Sequence, residues 1–173
     1  MAAGSTYTPI ATTTLGSAAP SVTFSSIAGT YTDLIIIASI KADSTTIATP
    51  ALRFNGDTAS NYSATWLYGN GSTASSSRGS NATYLYTGDY VAGVESTNFA
   101  TFISHIMNYA NTTTYKTVLS RNNQVNSSDG ETGATVGLWR KTPEAITTIL
   151  YTSTNGANYA VGSTFTLYGI AAA

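Results

Sequence analysis

Apolar and polar residues alternate with a period of two along several stretches of the chain. In residues 62–68 every second position is Tyr, Trp or Ala, and residues 134–140 repeat the alternation with small and branched apolar side chains. Successive side chains of a β-strand point to opposite faces, so this period predicts half-buried strands. No segment has the 3.6-residue period of an amphipathic helix. The pattern therefore predicts an all-β protein.

Short strands of this kind recur along the chain, separated by turn residues. About nine or ten are predicted, at 21–27, 33–41, 52–55, 62–68, 82–87, 99–109, 115–121, 134–140, 146–153 and 163–170. The pair 99–109 and 115–121 predicts a hairpin, and the Gly-, Ser- and Asn-rich segments 69–81 and 122–133 predict polar loops. Regular spacing of this kind predicts an antiparallel β-sandwich, jelly-roll-like, with another Greek-key sandwich as the alternative.

Two segments depart from simple alternation. Residues 33–41 carry a continuous apolar run, which predicts a central strand covered on both faces. Residues 1–20 are Thr-rich and contain Pro9, which cannot donate to a β-ladder, so they predict an N-terminal arm or an edge strand. The rest of the chain, 21–173, predicts one β-sandwich domain.

Composition narrows the function classes. Only 9% of the residues are charged and the net charge is −1, which argues against nucleic-acid binding and against a polybasic membrane-surface protein. The longest apolar run is far shorter than a membrane span, and the start lacks the basic and apolar regions of a secretory signal. Hydrophobic residues make up 42% of the chain, with 12 Tyr, so a folded core is expected rather than disorder. Cysteine is absent, which excludes a disulfide framework.

Candidate catalytic and metal-binding residues are few. The single histidine, His105, falls within a predicted strand and is interpreted as a packed or interface residue hydrogen-bonded to a neighbour, rather than a base or ligand. Asp129 and Glu131 flank a glycine and could hold calcium, but a solvated loop explains them more simply. Asp57 follows Asn-Gly and is interpreted as a turn residue. We therefore expect no enzymatic activity, no metal and no cofactor.

Aromatic residues form the most distinctive candidate surface. They are Tyr62, Trp66, Tyr68, Tyr84 and Tyr86, which fall in phase along two predicted strands. Exposed aromatic rings stack on the apolar faces of sugars, so this stripe could bind a glycan. The alternative, which we favour, is that the stripe belongs to the sandwich core or to a subunit interface.

The chain resembles a family of small structural proteins of tailed bacteriophages, particularly marine and cyanobacterial phages. The resemblance spans nearly the whole chain but contains no catalytic motif. The segments that carry it are 14–27 (TLGSAAPSVTFSSI), 30–34 (TYTDL), 52–57 (LRFNGD), 67–72 (LYGNGS), 105–121 (HIMNYANTTTYKTVLSR), 136–140 (VGLWR) and 162–170 (GSTFTLYGI).

The resemblance implies a β-sandwich module mounted on a virion, made in the host cytoplasm. We expect a non-enzymatic capsid decoration (cement) protein on the outer surface of the head, forming a homotrimer and contacting the major capsid protein. The residues expected in a capsid-docking arm are Tyr7, Pro9, Ile10 and Leu15. The alternative is a tail-fibre or spike module that binds host surface glycans through the aromatic stripe.

Overall fold

The computed structural model describes residues 6–44, 47–88, 98–125 and 130–171, and these contain twelve strands and no helix. In chain order the strands are β1 (Tyr7–Thr14), β2 (Ser21–Phe24), β3 (Asp33–Ile40), β4 (Pro50–Phe54), β5 (Tyr62–Gly69), β6 (Ala74–Ala82), β7 (Leu85–Tyr86), β8 (Ala100–Met107), β9 (Lys116–Val125), β10 (Gly130–Trp139), β11 (Ile149–Ser153) and β12 (Thr164–Ile170).

The strands form two antiparallel sheets packed face to face. The large sheet has eight strands in the order β1-β12-β3-β8-β9-β10-β5-β6, and the small sheet has four in the order β2-β11-β4-β7. A sheet with one apolar face must bury it against another element, and here the two inner faces bury each other. The predicted all-β antiparallel sandwich is confirmed.

The finer jelly-roll assignment stays a prediction that the strand order supports. If the hairpins β5–β6 and β9–β10 are left out, two four-stranded sheets remain, β1-β12-β3-β8 and β2-β11-β4-β7. The chain then passes from one sheet to the other at every connection except β4 to β7. Eight strands divided between two sheets are the architecture of a jelly roll, and the two hairpins widen only one of the sheets.

The core lies between the sheets. Its largest buried side chains include Trp139, Tyr62, Tyr151 and Phe165, and the aromatic rings contact one another. Four strands cannot cover both faces of eight, so the opposite face of the large sheet has no layer on it among the described residues. We call this opposite face the outer face.

Two predicted polar loops are wrong, because the structure has strands there. Strand β6 occupies much of segment 69–81, and the hairpin of β9 and β10 extends through segment 122–133, of which 126–129 lie outside the described residues. Segment 69–81 lacks apolar alternation because most of its side chains face solvent, whereas in the described part of 122–133 the half-buried and buried positions are polar or Gly. Backbone hydrogen bonds to a neighbouring strand stabilise both segments instead. The predicted hairpin of β8 and β9 is present.

The two segments that depart from alternation are both strands. Residues 33–41 contain β3, which lies inside the large sheet between β12 and β8. The inner face of β3 lies in the core, and on its outer face Ile35 is 7% exposed, whereas Ile37, farther along the strand, is 36% exposed. Residues 1–20 contain β1, which is an edge strand hydrogen-bonded to β12, with an irregularity between Pro9 and Ala11.

Candidate interaction surface

Strand register arranges the outer face into two rows that each take one residue from every strand of the large sheet. The first row is Pro9, Tyr168, Ile35, His105, Leu119, Val136, Thr65 and Arg78. The second row is Thr12, Thr166, Ile37, Ile103, Arg121, Ala134, Leu67 and Ser76. Residues in one row are direct cross-strand neighbours, so their side chains touch or nearly touch.

The middle of the outer face is apolar and exposed. Leu67 is 59% exposed, Val136 58% and Leu119 47%, and Ile103 lies half-buried among them. Single exposed apolar residues are ordinary, but a contiguous group across five strands is typical of an interaction site. Sequence reasoning missed this surface, although the apolar run in residues 33–41 signalled that β3 needs cover on two faces.

Three open depressions mark the same face. One of about 450 Å³ is bordered by Thr65, Arg78, Val136 and Leu138, and one of about 470 Å³ lies beside Leu67. The third, of about 280 Å³, is bordered by Ile103, Arg121 and Asn123 among others. The protruding apolar side chains and the depressions between them give the face an uneven shape to which a partner surface can be complementary.

The outer face has few charged side chains, and the positive ones outnumber the negative ones. Arg78 and Arg121 are exposed, and neither has a hydrogen-bond or ion-pair partner within the part of the chain that the structure describes. Asp33 is the one carboxylate on the described outer face, and its Oδ2 lies 2.9 Å from Nε2 of His105 while its Oδ1 accepts from the Asn108 amide. His105 is therefore hydrogen-bonded to a neighbour, and the face retains two unpaired cations.

The residues expected in a docking arm divide into two kinds. Leu15 is buried in the core of this chain, where its backbone N–H donates to Ser163, and Ile10 packs against the same core. Tyr7 is 53% exposed and makes an edge contact with Tyr168, and Pro9 is exposed. Of these four residues, Tyr7 and Pro9 are the exposed ones.

Tyr62, Trp66 and Tyr68 share the face of β5 that is directed to the inside of the sandwich, whereas Tyr84 and Tyr86 alternate with the buried Leu85 and have the opposite phase. Most of these rings have intramolecular partners. Tyr62 is fully buried, with its ring stacked on Trp139. The half-buried rings of Trp66 and Tyr86 contact each other with centroids 5.5 Å apart.

The remaining two tyrosines are also half-buried. The guanidinium of Arg53 lies 3.9 Å from the ring centroid of Tyr84, and Tyr68 lies near the open end of β5. A ring face that contacts another side chain is not free to stack on a sugar. These contacts therefore favour packing over glycan binding for the stripe.

A buried carboxylate organises one end of the sandwich interior. Asp57 accepts hydrogen bonds from the Trp139 indole N–H at 2.7 Å, from the Asn61 side chain at 2.9 Å and from the Ala59 amide at 2.9 Å. Burial by itself raises the pKa of Asp57, but the three hydrogen bonds outweigh it and hold the pKa below its ordinary value. Asp57 is thus more than a turn residue, because it orients the largest ring of the core.

Further polar groups at this end also have partners. The Lys116 ammonium is buried and donates to the carbonyls of Asn111 and Thr114, and burial lowers its pKa. Glu144 accepts from Asn55 and Lys141, and those two bonds lower its pKa. Each of these groups is used by the fold, so we assign no chemistry to them.

The other end of the interior contains polar atoms without partners. Asn122 is 4% exposed, and among the described residues neither of its amide atoms has a hydrogen-bond partner. The same holds for the buried Thr135 hydroxyl. A Cβ on Gly133 would lie 2.7 Å from the Asn122 Oδ1, and one on Gly88 would lie 2.4 Å from it. Two glycines therefore make the room that the Asn122 side chain occupies.

No group of three or more metal-ligating side chains occurs among the described residues. Asp129 lies outside the described residues, and Glu131 lies half-buried on the inner face of β10. In the described part of the chain there is also no helix that could cross a membrane.

Comparisons of the chain with protein-family models, with curated proteins and with solved structures find no match.

Proposed function

We propose that this protein is a non-enzymatic structural component of a tailed-phage virion. It decorates the outer surface of the capsid as a homotrimer and contacts the major capsid protein. The proposal combines the resemblance of the sequence to phage structural proteins with the character of the outer face. A glycan-binding fibre module is the alternative.

The observation that carries the proposal is the uncovered apolar outer face. Strand β3 has the composition of a strand buried on both sides, yet its outer-face Ile37 is 36% exposed among the described residues. Leu67, Leu119 and Val136 extend the exposed apolar surface over neighbouring strands. Parallel or buried strands read as continuous apolar runs, whereas half-exposed strands alternate. The missing cover is supplied by another protein in the assembled state.

A clamp of this kind stabilises an assembly by binding to it. A protein that binds the assembled shell and not the separate subunits lowers the free energy of the shell by mass action. The low charge of the chain suits this role, because apolar contacts and neutral hydrogen bonds depend little on salt. Catalysis is not required for the function.

Self-association uses the edges of the large sheet rather than its outer face. β1 and β6 are the terminal strands of that sheet, and each presents one unpaired backbone edge. β6 carries Arg78 as its one charged side chain, so it lacks the charges that usually guard an edge. Contact between unlike edges of successive protomers closes a ring, which gives cyclic symmetry such as a trimer.

A density map of the intact particle, with copies counted, tests the proposal. Decoration predicts hundreds of copies on the outside of the head, and heads from a gene deletion that assemble but break at a lower temperature than wild-type heads. A few copies at the tail tip or in fibres would reject decoration and favour the glycan-binding alternative. Light scattering of the purified protein at high micromolar concentration tests the trimer, with a monomer as the contrary result.

A further inference from the structure

We propose that the outer face docks onto an apolar protein surface that carries carboxylates, and that Arg121 is the central ionic contact. The identity of the partner, the major capsid protein, rests on the proposed function. The chemistry of the partner rests on the outer face alone. Its elements are the apolar group of Leu67, Leu119 and Val136 and the two unpaired guanidinium groups of Arg121 and Arg78.

The outer face around the apolar group is large enough for a specific interface. The group spans the five strands β3, β8, β9, β10 and β5, roughly 24 Å across at about 4.8 Å per strand. Strands of about eight residues are roughly 27 Å long, so the whole face of these five strands, with its apolar middle and polar ends, presents about 650 Å². Full cover by a partner then buries about 1,300 Å² in total, which lies within the range of stable specific interfaces.

Electrostatic complementarity identifies the kind of partner. Arg121 lies at the middle of the second row, between Ile103 and Ala134, and its charge has no counterpart on this face. Covering an unpaired guanidinium with an apolar surface alone is unfavourable, because the charge would lose its water without gaining a partner. A carboxylate on the partner offsets this loss with a charge-assisted hydrogen bond. Arg78 at the rim provides a second, weaker attraction.

A second copy of the same face does not satisfy this chemistry. In a two-fold contact the residues near the axis meet themselves, so Arg121 would face Arg121. The carboxylate on the described outer face, Asp33, is engaged by His105 and the Asn108 amide. Like charges at the centre of an interface are repulsive. The occupant is therefore a different surface.

Site-specific photo-crosslinking in infected cells tests the assignment. A benzophenone amino acid replaces Val136 on the outer face or, as the control, Thr23, which is exposed on the opposite side of the sandwich in β2. We expect Val136 to crosslink to a peptide of another protein that contains Asp or Glu beside apolar residues, and Thr23 to give no such product. Crosslinking from Thr23 alone, or from Val136 to a second copy of this chain, would overturn the proposal.

Matched substitutions then test the charge. Arg121→Gln and Thr23→Glu each change the net charge by −1, but on opposite sides of the sandwich. With purified heads from a gene deletion as the probe, we expect Arg121→Gln to weaken binding about tenfold and to reduce its salt dependence. Thr23→Glu should bind like the wild type. The isosteric Val136→Thr substitution should also weaken binding, and urea unfolding should show that all three variants fold normally.

The two proposals fail in different ways. If Arg121→Gln and Val136→Thr bind heads as the wild type does, the docking face is wrong while decoration stands. If the protein is not on heads but Val136 still crosslinks to a carboxylate-bearing apolar peptide, the docking chemistry stands and decoration is wrong. If Val136 crosslinks to a glycan or lipid instead, the docking proposal is rejected.

Discussion

The two ends of the sandwich interior differ in whether their buried polar groups have hydrogen-bond partners. At one end Asp57 has three hydrogen-bond donors, and its neighbour Tyr62 donates to the Asp57 carbonyl and accepts from the Phe54 amide. At the other end, the amide of Asn122 and the hydroxyl of Thr135 are buried and have no partner among the described residues. Along β10, Asn122 lies opposite Gly133, about 20 Å from Trp139, and Thr135 is about 14 Å from Trp139. Both ends lie between the same two sheets.

This difference in hydrogen bonding indicates which end of the interior stabilises the fold. A buried polar group that has its hydrogen bonds contributes modestly to the free energy of unfolding. Removal of one partner leaves the other buried without a hydrogen bond, and the full desolvation cost of that remaining group then lowers the stability. A buried group without partners already lowers the stability, so removing it has little cost. Identical truncations at the two ends should therefore have unequal effects, and the predictions below test that inequality.

The largest effect is expected from Asp57→Ala. This substitution leaves the Trp139 indole N–H and the Asn61 amide without their acceptor inside the core. We expect the free energy of unfolding to fall by about 3 kcal/mol, measured by urea denaturation at pH 7. Asp43→Ala removes the same charge from a carboxylate that accepts, among the described residues, one long side-chain hydrogen bond of 3.3 Å from Asn158. This substitution should cost less than about 1 kcal/mol. Equal losses in the two variants would contradict this.

The second-largest effect is expected from alkaline pH, which should destabilise the Asp57 end of the interior. Burial raises the pKa of Tyr62 to about 12, against about 10 in an unfolded chain. The neutral phenol is favoured in the fold, so its contribution is complete below pH 10 and is lost as the pH rises from 10 to 12. The loss should reach about 2–3 kcal/mol. In Tyr62→Phe the fall between these pH values should be smaller, although Tyr151 and Tyr159, whose pKa values burial also raises, still titrate.

Acid should act on the same end with a smaller effect. Hydrogen bonds hold the pKa values of Asp57 and Glu144 below their ordinary values. Their contribution is therefore present above about pH 4, the range of the unfolded groups, and is lost as the pH falls through the lower folded pKa values. Urea midpoints measured from pH 7 to pH 2 should fall for the wild type. The fall should be shallower for Asp57→Ala, and a parallel curve would show that Asp57 does not titrate at a lowered pKa.

The smallest effect is expected from Asn122→Ala. The substitution removes two unpartnered amide atoms and leaves a small cavity beside Gly88 and Gly133, and these changes oppose each other. The free energy of unfolding should change by less than about 1 kcal/mol in either direction. A loss of stability as large as that of Asp57→Ala would show that Asn122 has a hydrogen-bond partner. It would contradict the proposed difference between the two ends of the interior.

Sequence reasoning recovered the strands whose burial differs between their two faces. The alternation in residues 62–68 and 134–140 corresponds to β5 and β10. In residues 134–140, however, the prediction that Ala134, Val136 and Leu138 face inward is wrong, because Trp139 is the buried side chain and Val136 is exposed on the outer face. Sequence reasoning failed for β6, where Ala74–Ala82 is Ser-rich and mostly exposed on both faces. Such a strand is stabilised by backbone pairing with β5, and backbone hydrogen bonds are not visible in the identities of side chains.

The candidate surface was beyond sequence reasoning for a different reason. Ile37, Ile103, Arg121 and Leu67 are neighbours only through the register of strands that lie far apart in the chain. A one-residue shift in any pairing would turn those side chains to the inside. The single local signal was the apolar run of β3, which indicated two covered faces but not what covers the second.

The pairing of β1 with β12 has a consequence for how the chain folds during synthesis. Tyr7 pairs with Ile170, so β1 cannot pair until β12, far along the chain, has been synthesised. The meander β8–β9–β10 and the hairpin β5–β6 need only short loop closures and can pair early, whereas β3 also waits for β12. Contacts of such long sequence separation form slowly. A nascent chain stopped before residue 164 lacks the strand that joins β1 to β3, and its apolar edge is then open to aggregation.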